Sequence, residues 1–328
     1  MIQLANVAIV VIGRNEGDRL IACLNSLKSY LPGVVYVDSA STDDSVKNAK
    51  DIGAKVVSLD MSKPFTAARA RNTGLNVVTE HFNDVEFVQF VDGDCEVNTN
   101  WLLQATNFLN ANEKVAVVCG RRREKYPNAS VYNMLCDLEW DTALGDTKAC
   151  GGDALVRLSV LKAVNGYRES LIAGEEPELC IRIRQVGYQV WRLDAEMTSH
   201  DANMTEFKQW WTRTTRAGYA FAEGAHIHGS APEHHWVAES RRSWLWGLLL
   251  PMVIIAIALI KPIWAILLLF IYPIQWLRLS LKSSRPFKQA SFQAFFLIIG
   301  KFAEMSGHIK FLIHRYANKQ SKIIEYRS

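Results

Sequence analysis

Three apolar runs, each closed by a polar cluster rich in acids, most constrain what this chain can fold into. "VAIVVI" at 7–12 runs into "GRNEGD", "VVYVD" at 34–38 into "SASTDD", and "EFVQFVD" at 86–92 into "GDCE". Continuous runs of β-branched residues, without polar alternation, suit strands buried on both faces. Between them the periodicity is helical. "DRLIACLNSLKSY" repeats apolar residues at helical spacing, and "STDDSVKNAKDIG" opens with capping residues and stops at Gly53. A third strand at 55–59 precedes the helical "TAARARNTGLNVV". Strands alternating with helices predict a parallel sheet with right-handed crossovers. Ligands of such sheets bind beyond the carboxyl ends of the strands, where the polar clusters fall.

Composition narrows the function. With 328 residues, 49% apolar and 21% charged, the chain can bury a large core, and its net charge of +4 is too mild and too dispersed for a nucleic-acid binder. The six cysteines are scattered without a C-x-x-C pair, so free thiols in a reducing compartment are expected, not structural zinc. The amino-terminal stretch lacks a basic n-region and a small-residue cleavage site, so no secretory signal is expected. No G-x-G-x-x-G follows the first strand and no G-x-x-x-x-G-K-[ST] occurs, which disfavours an NAD site and excludes a P-loop.

The carboxy-terminal part is different in kind. Apolar runs at 244–260 and 263–277 predict a helical hairpin turning at Lys261-Pro262. Trp244, Trp246, Trp264, Tyr272 and Trp276 would anchor it at the interfaces of a bilayer. Arg241 and Arg242 precede it, and Arg278, Lys282, Arg285 and Lys288 follow, which puts both ends on the cytoplasmic side. The runs are short and Pro251 and Pro273 would kink them, so a buried or in-plane pair is the alternative. Residues 289–315 read as a basic amphipathic helix, lying on a membrane surface or docked on the catalytic domain. The expected organisation is a catalytic domain at 1–240, a membrane hairpin at 241–282 and a membrane-proximal helix at 283–328.

Asp92 and Asp94 stand two residues apart at a strand end, and alternation points both to one side. Oxygen ligands of this kind suit Mg2+ or Mn2+, ions that often bridge phosphates. Asp38 also ends a strand and can accept hydrogen bonds from a base or ribose, while Asp43 serves the next helix start. "GEEPELCIRI" gathers Glu175, Glu176 and Glu178 around Pro177. It is either an acid-rich helix start with Pro177 in the first position or a catalytic cluster. Arg213 and Arg216 on a later helical stretch suit either a diphosphate or a membrane-proximal basic face. "HIHGSAPEHH" reads as a polar loop.

The order "VVIGRNE", "VDSASTDDS", "ARARNTGL", "FVDGDCEV", "CGGDALVR", "GEEPELCIRIRQVG" resembles a family 2 glycosyltransferase of the GT-A fold, over roughly residues 5–220. The resemblance implies an α/β fold with a mostly parallel sheet flanked by helices. It implies that Arg14, Asn15 and Glu16 line a nucleotide pocket, that Asp38 binds base or ribose, and that Arg71 helps hold the nucleotide. Asp94 would bind the metal, and Asp92 the metal or ribose. Gly151, Gly152 and Asp153 would lie near donor sugar and acceptor, although many relatives carry Asn where Asp153 stands. Glu176 falls at the position of the general base, where Asp is usual. His200 would be a third metal ligand, or else an exposed loop histidine.

The implied function is transfer of a sugar from a UDP- or GDP-linked donor, with Mg2+ or Mn2+ and inversion. The hairpin points to a polyprenyl-diphosphate-linked or other glycan acceptor. The setting would be the inner (cytoplasmic) membrane, with the catalytic domain facing the cytoplasm and cell-surface polysaccharide as the product. Two other classes compete. A sugar-nucleotide pyrophosphorylase would carry a glycine-rich activation loop near the amino terminus, and none is seen. A non-catalytic assembly subunit binding nucleotide-sugar or lipid would not need Asp92, Asp94 and Glu176.

Overall fold

The computed structural model describes residues 6–317. The apolar runs are strands β1 (Val7–Gly13), β2 (Val34–Asp38), β3 (Lys55–Ser58) and β4 (Phe87–Asp92), paired in parallel in the order β3-β2-β1-β4. All of β2 and the first six residues of β1 are buried, as β-branched runs without alternation require. Their crossovers are α1 (Asp18–Ser26), α2 (Ser45–Ile52) and α3 (Ala67–His81). Gly53 closes α2 at φ 103°, a left-handed position that glycine takes without a Cβ penalty. Thr66 caps α3, its hydroxyl accepting from the Arg69 N–H at 3.1 Å.

Register sets where the polar clusters meet. Gly13 at the end of β1 lies opposite Asp38, and Ile12 opposite Asp92, so both carboxylates flank the same strand end.

The second half of the sheet is mixed. It contains β5 (Cys95–Val97), β6 (Val115–Glu124), β7 (Gly145–Thr147), β8 (Ala154–Arg157) and β9 (Gln189–His200). Among the described residues the strand order is β3-β2-β1-β4-β8-β6-β9-β5, with β7 also on β9. β8 runs antiparallel to β4 and β6, while β6 and β9 are parallel. β5 and β7 are antiparallel to β9. The sheet is thus parallel only in part, where a mostly parallel one was expected. A parallel crossover takes a dozen or more residues, and the motif-bearing loops at 93–94 and 148–153 are shorter than that. Helices α4 (Trp101–Ala111), α5 (Val131–Glu139), α6 (Leu158–Ala163) and α7 (Glu175–Gln185) complete this part. The one polar residue inside β4, Gln89, is satisfied by the Trp101 indole N–H at 2.9 Å and the Phe90 carbonyl at 2.7 Å.

The chain divides into two compact units, the first ending at Asn203 and the second beginning at Met204. The second holds α8 (Phe207–His228), α9 (Val237–Trp244), a π-helical turn (Leu245–Leu249), α10 (Leu250–Ala258), α11 (Pro262–Leu269), α12 (Ile271–Lys282) and α13 (Phe287–Tyr316). The boundary expected near 240 moves because α8 joins this unit. A Cβ on Gly218 would come within 2.1 Å of the Glu304 carbonyl, and one on Gly307 within 2.1 Å of the Thr215 carbonyl, so α8 and α13 touch backbone to backbone. The expected amphipathic helix therefore docks along α8, with Phe296 edge-on to Trp210 at 4.8 Å. Residues 318–328 of that expected segment lie outside the described residues, as do the first five of the chain.

The hairpin runs become two helical stretches, Val237–Ala258 (22 residues) and Pro262–Lys282 (21 residues), each long and apolar enough to cross a membrane. They exceed the apolar runs because helix continues into the charged flanks at Arg241, Arg242, Arg278 and Lys282. The prolines distort them locally. The π-helical turn ends two residues before Pro251, and helix breaks at Phe270, three residues before Pro273. Each ring crowds the carbonyl four residues back, which the local unwinding relieves.

Gly74 on α3 sits against β1, and a Cβ there would lie 2.3 Å from Val10 Cγ1. Gly74→Ala is expected to destabilise the first unit by about 1–3 kcal/mol through overpacking, read as a lower urea midpoint at unchanged slope.

Candidate active site

The site is organised around a buried cation. Arg71 on α3 is 2% exposed, and its guanidinium reaches three carboxylates from two other elements. Nη2 meets Asp92 Oδ1 at 2.9 Å, and Nη1 meets Glu175 Oε1 at 2.8 Å and Glu176 Oε1 at 3.0 Å. The Tyr167 ring lies 5.5 Å from the guanidinium carbon. Burial works against the charge on Arg71, but Glu176, Asp92 and Glu175 outweigh it and keep the group protonated. Gly152 leaves room for this contact: a Cβ there would fall 2.7 Å from both Arg71 Nη2 and Asp92 Oδ2.

Arg122 on β6 takes the other side of Asp92, at 2.7 Å from Oδ2. It also reaches Asp153 Oδ2 at 3.1 Å and lies 5.2 Å from the Trp140 ring. Burial alone would raise the Asp92 pKa, yet Arg71 and Arg122 together pull it below the ordinary carboxylate value. Asp153 is 1% exposed and works from beneath, accepting from the Asp92 N–H at 3.0 Å and the Thr198 hydroxyl at 2.7 Å. The structure thus places Asp153 as a support of Asp92 and Arg122.

The acidic cluster of the sequence resolves into separate roles. Helix α7 starts at Glu175, after Gly174 at φ 80°, so Pro177 is its third residue and not its first. First-turn N–H groups have no intrahelical acceptor, so the missing donor costs nothing there either. Glu178 is 2% exposed and pairs with Arg182 at 2.7 Å and Arg168 at 3.2 Å, a structural use. Glu175 holds Arg71. Glu176 shares Arg71 but is pushed up to about 7, by burial first and by the Glu175 charge second, with Arg71 opposing. A carboxyl group with that value exchanges protons near neutral pH.

Asp94 and His200 form a second centre, with His200 Nε2 3.2 Å from Asp94 Oδ2. The antiparallel pairing of β5 with β9 sets Cys95 opposite His200 and so brings them together. His200 is buried, not exposed on a loop, and packs edge-on to Trp140 at 4.8 Å. Its Nδ1 lies 3.6 Å from Glu124 Oε2. Ligand atoms of Asp94, Cys95 and His200 all lie within 4.8 Å of one another. Burial raises the Cys95 pKa well above its ordinary value, which leaves a neutral thiol. A carboxylate oxygen and an imidazole nitrogen fit Mn2+, with the carboxylate also suiting Mg2+. Asp92 has both its oxygens on arginines, and ligand atoms of Asp92, Cys95 and Asp153 also lie within 4.8 Å of one another.

The loops after β1 and β2 interlock. Asn15, at φ 55°, accepts from the Thr42 N–H at 2.7 Å, and its own N–H donates to Ser41 Oγ at 2.9 Å. Asp38 accepts from the Tyr36 hydroxyl at 3.0 Å and the Ser41 N–H at 2.9 Å. Arg14 stacks 4.7 Å over the Phe65 ring, and Glu16 pairs with Arg19 at 2.9 Å. Asp43 accepts from the Ser45 and Gly17 N–H groups, the local role expected of it. Arg213 lies on α8, in the second unit, apart in the chain from every other candidate.

Arg122, Glu124 and Trp140 were not singled out from the sequence. The run "GRRRE" resembles a solvated charged stretch, but on a strand it alternates. Arg122 and Glu124 face the site, while Arg123 pairs with Glu196 on the exposed side.

The model of glycosyl transferase family 2 matches residues 8–145, which hold β1 to β4 and both D-x-D carboxylates. Over that stretch the chain is similar to glycosyl transferase family 2. Among curated proteins, an uncharacterized glycosyltransferase of Rickettsia felis is 45% identical over 47 residues, and one of Rickettsia conorii is 47% identical over 47. Each match covers 14% of this chain and spans only 17% of the relative's length. Among solved structures, the mannosyltransferase PcManGT from Pyrobaculum calidifontis, in complex with GDP-Man and Mn2+, aligns with TM-score 0.64 at 20% identity, over 94% of this chain and 87% of that one. Glucosyl-3-phosphoglycerate synthase from Mycobacterium tuberculosis, with Mn2+, UDP-Glc and glycerol 3-phosphate, aligns with TM-score 0.51 at 16% identity, over 68% and 80%. These likenesses establish the GT-A fold expected from the motifs.

Removing the central cation takes the charge partner from Glu175 and Glu176, while Asp92 keeps Arg122. Arg71→Met is expected to cost about 3–5 kcal/mol in urea unfolding, and Glu175→Gln added to it to restore part of that loss.

Proposed function

We propose that this chain transfers a sugar from a nucleotide-sugar to an acceptor hydroxyl, with Glu176 as general base. The observation that carries this is a carboxyl group poised at about 7, fixed on a helix start by Arg71, in one buried network with Asp92. The acceptor oxygen attacks the anomeric carbon and its proton passes to Glu176. The bond from that carbon to the diphosphate oxygen breaks, and the nucleoside diphosphate leaves with the electron pair. Attack from the side opposite the leaving group inverts the configuration.

Asp94 and His200 would hold the divalent metal, which supplies charge stabilisation to the departing diphosphate. Arg71 holds Glu176 and Asp92 in place, and Arg122 and Asp153 fix Asp92 from the other side. Asp92 then presents its carboxylate to ribose. Gly152 keeps the floor beside them open. Arg14, Asn15, Glu16 and Asp38 serve the nucleotide, since they cluster at the ends of the first two strands. The GDP-Man, UDP-Glc and Mn2+ of the two structural neighbours support a UDP- or GDP-linked donor with Mn2+ or Mg2+.

The two membrane-length helices support an anchored enzyme and a lipid-linked or other glycan acceptor in polysaccharide assembly. Basic flanks at both ends of the pair support a catalytic unit on the cytoplasmic side of the inner membrane.

Because Glu176 acts only after losing its proton, kcat is expected to rise with pH through an apparent pKa near 7. Glu176→Gln should lower kcat by about 100- to 10,000-fold, abolish that limb and leave the donor KM little changed. An unchanged pH profile in the variant would remove Glu176 from the base role. The membrane reading has its own check: the full chain should stay with the membrane pellet through an alkaline carbonate wash, and release into the supernatant would contradict it.

A further inference from the structure

Glu124 ends β6 in register with His200 on β9, so the parallel pairing itself brings the two side chains together. It is a carboxylate with no place in the transfer chemistry, 4% exposed, and firmly held. Oε1 accepts from the Tyr126 N–H at 3.1 Å and the Asn133 side-chain amide at 3.1 Å, and Oε2 accepts from the Ala202 N–H at 3.0 Å. The same Oε2 faces His200 Nδ1 at 3.6 Å, a charge contact just longer than a hydrogen bond, while Asp94 faces Nε2 at 3.2 Å on the opposite edge of the ring. Trp140 packs edge-on to the imidazole at 4.8 Å.

An imidazole that ligates a metal through one nitrogen needs the other protonated and directed, and a buried carboxylate does this by accepting that N–H. The three donors that fix Glu124 keep it from turning to ligate the metal itself. We propose that Glu124 is the positioning residue of the metal centre. It holds the His200 proton on Nδ1 and aims Nε2 at the metal. This rests on His200 being a ligand, the reading proposed above.

The test is Mn2+ binding, followed by electron paramagnetic resonance of free Mn2+ in the presence of UDP or GDP, on the full chain in detergent. His200→Ala and Glu124→Gln are each expected to weaken Mn2+ by about 10- to 100-fold, and the double variant to be no weaker than His200→Ala alone. That lack of additivity separates positioning through His200 from general loosening of the fold. If His200→Ala weakens Mn2+ but Glu124→Gln does not, or if Glu124→Gln weakens it equally without His200, the proposal is overturned. If His200→Ala leaves Mn2+ affinity unchanged, the ligand reading fails first. Nitrogen NMR of the unaltered protein with Mg2+ and nucleotide gives a readout independent of any variant's folding. The Nδ1–H tautomer of His200 is expected there, and Nε2–H would overturn the assignment.

Discussion

A single buried guanidinium carries the rest of the site. Arg71 is where α3, the end of β4 and the start of α7 meet, and only its charge makes that meeting tolerable. Three carboxylates so close together would otherwise have to take up protons or separate. Arg71 supplies one positive charge to three negative ones, and the imbalance has a consequence. Asp92, with Arg122 as a second partner, stays ionised, while Glu176 has only its share of Arg71 and is pushed up to about 7. One cation thus leaves two carboxylates with different proton affinities. Gly152 lets them come within contact, since any side chain there would occupy the space of Arg71 and Asp92.

The two aspartates of the D-x-D motif separate in the same way. Alternation along a strand would give them one environment, but the strand ends at Asp92. Gly93 turns the chain, its N–H donating to the Ile12 carbonyl at 2.8 Å. Asp92 then faces arginines, and Asp94 starts the approach to β5, whose pairing with β9 delivers His200. The two carboxylates stand side by side in different settings: Asp92 is held by Arg71 and Arg122, and Asp94 pairs with the His200 imidazole.

Much of this was legible in the sequence because the period of a buried strand and the spacing of a motif are local. The strands β1, β2 and β4, the capped helices between them, the strand-end placement of Asp38 and Asp92, and the hairpin of apolar helices all follow from such signals. What failed depended on partners distant in the chain. The antiparallel half of the sheet, the capture of Asp92 by Arg122, and the burial of Asp153 arise from pairings between β4, β8, β6 and β9 that no local period encodes. The unit boundary moved for the same reason, because Gly218 and Gly307 meet across many residues of intervening chain. Glu124 was hidden in a charged run whose alternation mattered more than its charge.

Metal-dependent consumption of a nucleotide-sugar bears most directly on the site as a whole. Purified full chain in detergent, with membrane lipid extract as acceptor, would be offered a panel of UDP- and GDP-linked sugars with and without Mn2+ or Mg2+, counting nucleoside diphosphate released. Release from one donor, only with metal and lost in Asp94→Asn, is the expected result. Failure of every donor to bind or turn over, or release that persists without metal and in Asp94→Asn, would contradict glycosyl transfer at this site.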